Sequence, residues 1–184
     1  VAFNAIGINM SGGATVTSAG NIVMTGTVAA SSAALSRGLN LAGGTVSATG
    51  AGTISLTGSG VPFVSSASSY DLGIDGTVVR SAGGQINLTA DRINIDSSVN
   101  AGAGRVVITP TTSMREISLG GSNEQYWLNL SASEINNITA GELQIGSATN
   151  TGGITIGGSG GPIAPAPSPL PYINLVTARD ISQL

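Results

Sequence analysis

At 184 residues the chain is long enough for one domain, yet only 8% of its side chains are charged and 28 are glycine, which excludes a charge-laced helical protein. Its six basic residues are all arginines that stand singly in a net charge of −3, so no basic stripe exists for nucleic-acid phosphates. Cysteine and histidine are absent, which removes disulfides, thiolates, imidazole bases and the usual zinc ligands. Hydrophobic residues reach 41% and alternate with Ser, Thr and Asn, a β-rich vocabulary that excludes compositional disorder.

The first strands are expected between Ala14 and Gly26, where two short alternating runs are split by Ser18, Ala19 and Gly20. The same form returns from Thr45 to Gly58 and superposes without gaps on Ser98 to Pro110. In these two copies Val46 and Val99 each precede the next apolar position, Ile54 or Val107, by the same interval, with Gly50/Gly52 and Gly102/Gly104 between them. Glycine at such corners suggests turns with positive φ. Two irregular insertions interrupt the pattern. Ala29 to Arg37 reads as a helical or extended excursion, and Val61 to Tyr70 carries a proline and two aromatics, Phe63 and Tyr70.

Gly83 to Pro110 is the densest stretch: GG-QINLTA-DRINID-SSVNAGAG-RVVITP. Ile86/Leu88, Ile93/Ile95 and Val99 predict one short strand on each of three sides, and Val106/Ile108 restart the first side 20 residues after Ile86/Leu88 (Thr109 likewise follows Thr89 by 20). Such a repeat means that successive turns of chain stack on one another. Farther on, Ile117/Leu119, Trp127/Leu128/Leu130, Leu143/Ile145 and Ile154/Ile156 are strand candidates. Ser131 and Glu134 have capping-box spacing, which predicts a helical turn over Ser133 to Thr139. The prolines of 162–171 cannot ladder in a sheet and favour an extended loop or linker. The expected organisation is a β-helix repeat segment over 1–158, a Gly/Pro-rich loop or linker over 159–171, and a final strand or the start of a further coil over 172–184. The chain opens at Val1 without an initiator Met or leader-like segment, as a fragment or a processed product would. No apolar run approaches the ~20 residues that a membrane-spanning helix needs, so a soluble protein is expected.

The segments QINLTADRINIDSSVNAGAGRVVITP, REISLGG and SASEINNITAGELQIGSATNTGGITIGG resemble the repeat region of filamentous-haemagglutinin-like exoproteins, adhesins exported by two-partner secretion in Gram-negative bacteria. The likeness is closest over 83–158, looser over 1–60 and absent in the proline-rich tail. The resemblance implies an all-β fold, a right-handed parallel β-helix with loop insertions and one short helical turn. It also implies an outer-membrane transporter as partner of the parent protein, and display on, or release from, the cell surface. The expected role is a structural and adhesive stalk without catalysis or cofactor, contacting a host-cell or environmental glycan or surface through Ala29 to Arg37, Val61 to Tyr70 and Asn123 to Asn129. Two alternatives stand beside it: a polysaccharide-degrading β-helix enzyme, and a self-associating filament or surface-layer block whose end strands pair.

The candidate chemistry is sparse. Asp71/Asp75 and Asp91/Asp96 are the only close aspartate pairs, and glycoside hydrolysis needs two carboxylates; turn or surface roles, with each side chain bonding its own backbone, fit them as well. No calcium-loop pattern is present, so no metal is expected. Trp127 beside Tyr126 suits either stacking on a sugar or filling the core, and Tyr126, Trp127, Phe63 and Tyr70 are the candidate surface-contact residues. Thr15/Thr17 is a short outward threonine pair. Asn9, Asn87, Asn129 and Asn137 stand in N-x-S/T sequons.

Overall fold

Alternation of Ile, Val and Leu with Ser, Thr and Asn puts branched apolar side chains on one face of each pleated strand and hydrated ones on the other. The computed structural model describes residues 4–29, 35–60, 69–120, 126–157 and 170–183. In chain order these form β1 (Asn4–Ser18), β2 (Ile22–Thr27), β3 (Leu35–Ala48), β4 (Ile54–Ser59), β5 (Leu72–Ser81), β6 (Ile86–Thr89), β7 (Ile93–Ile95) and β8 (Val99–Asn100). There follow β9 (Arg105–Thr109), β10 (Glu116–Leu119), β11 (Trp127–Leu130), α1 (Ala132–Asn136), β12 (Ile138–Thr139), β13 (Glu142–Gly146), β14 (Ile154–Ile156), β15 (Ile173–Val176) and β16 (Ile181–Gln183). Among the described residues the protein is all-β apart from one short helix, and no helix there is long and apolar enough to cross a membrane.

Three parallel sheets result. Sheet A runs β1-β3-β5-β8-β12 with β7 also on β5, sheet B runs β2-β4-β6-β9-β13-β15, and sheet C runs β11-β10-β14-β16. The expected restart of the pattern is a true register, since Ile86 lies opposite Val106 and Leu88 opposite Ile108. The same spacing recurs where Val79 lies opposite Val99 in sheet A, whereas other steps are longer: Asn87 bonds Ser55 across 32 residues, and Arg105 bonds Gln144 across 39. Those longer steps carry segments 61–68 and 121–125, which lie outside the described residues, as do 30–34 and most of the proline-rich stretch.

One sequence expectation is refined and another corrected. Two of the three short strands of the dense stretch share a sheet, because β7 pairs Leu72–Ile74 and β8 pairs Val79–Arg80 of the same strand, β5. Gly76, at φ +67, bends β5 between those two contacts, and it stacks on the positive-φ pairs Gly43/Gly44 and Gly12/Gly13 of β3 and β1, where the register shifts. Sheet A is therefore folded along a glycine seam that only the stacking reveals. The gapless superposition of the two repeat copies also fails by one residue. Ile54 is in line with Val106, so Val107 points outward.

The inward side chains form columns. In sheet B, Ile22, Ile54, Ile86, Val106, Leu143 and Ile173 make one, and Met24, Leu56, Leu88, Ile108, Ile145 and Leu175 the next. Each fully buried branched side chain stabilises by about 1.5–3 kcal/mol. Interior members are fully buried, whereas Ile173 and Ile181 on the last strands are 40% and 49% exposed because nothing described covers them.

At the corner before sheet B the chain approaches its neighbour closely. A Cβ on Gly52, Gly84, Gly104 or Gly141 would run into backbone of the preceding turn. Of the four glycines expected to turn with positive φ, Gly102 does so at φ +58, whereas Gly50, Gly52 and Gly104 lack positive φ and are demanded by close backbone contact. Gly84→Ala is expected to lower the thermal midpoint by several degrees, in line with a cost of about 1–3 kcal/mol for overpacking. Gly20→Ala, whose Cβ would meet only Ser18 Oγ at 3.9 Å, should leave it unchanged by circular dichroism.

Candidate functional site

The aspartate pairs are separated by their surroundings. Asp71 is buried just before β5: its Oδ1 accepts from Gly60 N–H at 2.9 Å and Arg92 Nη2 at 3.1 Å, and its Oδ2 from Arg92 N–H at 3.0 Å. Burial pushes the Asp71 carboxyl up, and the Arg92 guanidinium opposes that without cancelling it. Asp75, four positions on, is exposed. Asp91 and Asp96 do flank β7 as expected, but neither reproduces the predicted bond to its own backbone. Asp91 instead grips the chain 21 residues on, accepting from Thr112 N–H at 2.8 Å and from Thr112 Oγ1, with Arg115 Nη2 at 3.2 Å. Burial raises its carboxyl, but these bonds more than offset that and hold it below the usual aspartate value. Asp96 is exposed and accepts from Asn94 Nδ2 at 2.8 Å. Asp71 and Asp91 thus join successive turns of chain at corners where the strand ladder stops.

A third carboxylate was not singled out for this role by the sequence. The capping box forms as predicted, with Glu134 N–H donating to Ser131 Oγ at 3.3 Å and Ser131 N–H to Glu134 Oε2 at 2.8 Å. The helix is Ala132–Asn136, shorter than the expected Ser133 to Thr139, because Ile138 and Thr139 join sheet A opposite Val99 and Asn100. What ends it is Asn137, whose Nδ2 donates to Ile95 O at 2.8 Å while Ile95 N–H donates to Glu134 Oε1 at 3.2 Å. Glu134 and Asn137 together satisfy one residue of the β7 edge as a neighbouring strand would. Burial pushes the Glu134 carboxyl up against the bonds from Ser131 and Ile95.

Of the surface-contact candidates, Phe63 lies outside the described residues. Tyr70 is half-buried before β5; burial raises its phenol, and the carboxylates of Asp96 and Glu134 raise it further. Tyr126 is exposed, and its carbonyl accepts from Arg115 Nη1. Trp127 belongs to β11, as the strand pattern of Trp127, Leu128 and Leu130 predicts, so the end of the expected contact loop over Asn123 to Asn129 is strand. Leu128 and Leu130 point inward and are buried, so the half-buried Trp127 stands on the outer face opposite Glu116. Leu35 to Arg37, the end of the first insertion, likewise belong to a strand, β3.

Among the described residues no group of three or more Asp, Glu, His or Cys side chains is arranged to hold a metal ion. Three of the four sequon asparagines donate their amides to the fold: Asn87 to Ser55 Oγ, Asn129 to Trp127 O, and Asn137 to Ile95 O. The regular threonine row runs across strands, through Thr25, Thr57, Thr89 and Thr109, which reading along one strand at Thr15/Thr17 could not reveal. No known protein family, no curated protein and no solved structure matches the chain.

Arg92→Ala strands the buried Asp71 carboxylate and is expected to cost about 3–5 kcal/mol in denaturant unfolding, whereas Asp75→Asn should be silent. Asn137→Ala leaves the Ile95 carbonyl without its partner, for an expected loss of about 1–3 kcal/mol. Because the folded Asp91 value is lowered, its contribution is present above the ordinary 3.8 and is lost as pH falls through the folded value. The gap in melting temperature between wild type and Asp91→Asn should therefore narrow on acidification below 3.8.

Proposed function

We propose that this chain is a right-handed parallel β-helical segment of a large bacterial exoprotein of the filamentous-haemagglutinin-like type, serving as an adhesive stalk without catalysis of its own. The observation that carries this reading is the order of sheet B, in which β2, β4, β6, β9, β13 and β15 stack in the order of the chain and always in parallel. A chain that leaves one wall, passes through another and returns one strand farther along is a coil. Sheet A supplies that other wall for most circuits, and sheet C for the later ones.

The reading is further supported by the use made of charge. Asp71 and Asp91, one from each candidate catalytic pair, are engaged by Arg92 and Arg115 at the corners, which favours the stalk over the polysaccharide-cleaving enzyme. As a stalk, the segment holds a recognition region away from the cell and presents outward rows of weak contacts that act through multiplicity. The implied partners are an outer-membrane transporter and a host or environmental surface. Antibody against this chain is expected to label intact, unpermeabilised cells of the producing bacterium or fibres shed from them. Labelling only after permeabilisation overturns the proposal.

Self-association is a second reading, favoured by the exposure of Ile173 and Ile181 and by the unpaired outer edges of β15 and β16 among the described residues. It predicts a sedimentation coefficient that rises with protein concentration, and a constant monomer value removes it.

A further inference from the structure

We propose that the outer face of sheet C, centred on Trp127, binds a neutral oligosaccharide chain. The site rests on the adhesive reading and gives it a ligand class and an address. Because Leu128 and Ile117 are buried, their neighbours Trp127 and Glu116, which are opposite one another in the ladder, lie on the outer face. Ile117 pairs Ile154 and Ile154 pairs Ile181, so the row continues from Glu116 to Gly153 and then to Asp180. At about 4.8 Å per strand the row from Trp127 to Asp180 spans roughly 14 Å, room for more than one pyranose ring laid across the strands.

The parts of this row suit a sugar. β11 is the edge strand of its sheet, in contact with β7 but not paired to it, and exposed Tyr126 stands beside the indole. An indole offers a flat apolar platform to the C–H face of a pyranose. Glu116 and Asp180 are both exposed and form no ion pair among the described residues, while Gly153 between them leaves a gap in the row. Carboxylates accept hydrogen bonds from hydroxyl groups more strongly than neutral groups do. The nearby Arg115 guanidinium is turned to Asp91 and to the Tyr126 carbonyl. A uronate, sulfate or phosphate would meet two carboxylates there, which selects a neutral polyol by charge. Ser118, two residues along β10, is buried and bounds the open part of the face to the Trp127 row. Packing of Trp127 into the core, the competing role, would need it on the inward side with Leu128 and Leu130.

Trp127 is the only tryptophan, so its emission reports on the site directly. The intact chain is titrated with hexamers of β-1,4-linked glucose and N-acetylglucosamine and, separately, with a hexuronate. A saturable change in emission with a neutral hexamer and none with the hexuronate is expected. By calorimetry, Trp127→Ala should abolish the binding heat and Glu116→Gln should weaken affinity about tenfold, the effect of one charged hydrogen bond, both with an unchanged circular dichroism spectrum. Silence with both neutral hexamers, equal response to the hexuronate, or undiminished binding by a folded Trp127→Ala overturns the site. Surface labelling and cell attachment without hexamer binding overturn the site and leave the adhesive stalk standing. Hexamer binding without surface display does the reverse.

Discussion

Backbone hydrogen bonds between parallel strands from separate parts of the chain, such as Glu116 opposite Trp127 and Val99 opposite Ile138, hold this protein together, and the remaining features follow from satisfying them. In sheet B the interior strands β4, β6, β9 and β13 each lend one edge to an earlier strand and one to a later strand, so the chain must return to that sheet in the same direction. That demand aligns inward side chains in columns and makes Ile, Val and Leu interchangeable along them: Ile86, Val106 and Leu143 occupy equivalent places. It also brings corner backbones so close that Gly52, Gly84, Gly104 and Gly141 have no room for a side chain.

Where the ladder is interrupted, polar side chains take over. Asp71 with Arg92 and Asp91 with Arg115 clamp corners at which no strand continues, and Glu134 with Asn137 stands in for a strand beside β7. With so few charges in the chain, these substitutions absorb several of the acidic groups that would otherwise be available for chemistry. The exposed carboxylates Glu116 and Asp180, beside the single tryptophan, are correspondingly informative: neither serves an ion pair among the described residues, and both lie on one outer row of sheet C.

Much of this was legible beforehand. Alternation located β6, β7, β9, β13 and β14 because a strand with one buried face imposes period two on its own residues, and the capping box announced α1 because its two bonds are local. Ile86 could be matched to Val106 since the intervening chain is short and regular. Other placements needed the fold. The bend at Gly76, the threonine row, the clamp from Asp91 to Thr112 and the outward side of Trp127 all depend on which residues of distant strands come level with one another.

Sequence alone therefore determined the all-β character, the parallel stacking at its most regular step and the short capped helix, since each is set by side-chain pattern over a few neighbouring residues. The tertiary structure decided that β7 and β8 share one sheet, that the aspartates bridge turns instead of pairing with each other, and that Trp127 faces outward with Glu116. Those outcomes depend on register across 11 to 39 residues, as in Arg115 to Tyr126 and Ile95 to Glu134. A shift of one residue there turns every side chain to the opposite face, and local pattern carries no information about which shift the stacked backbone selects.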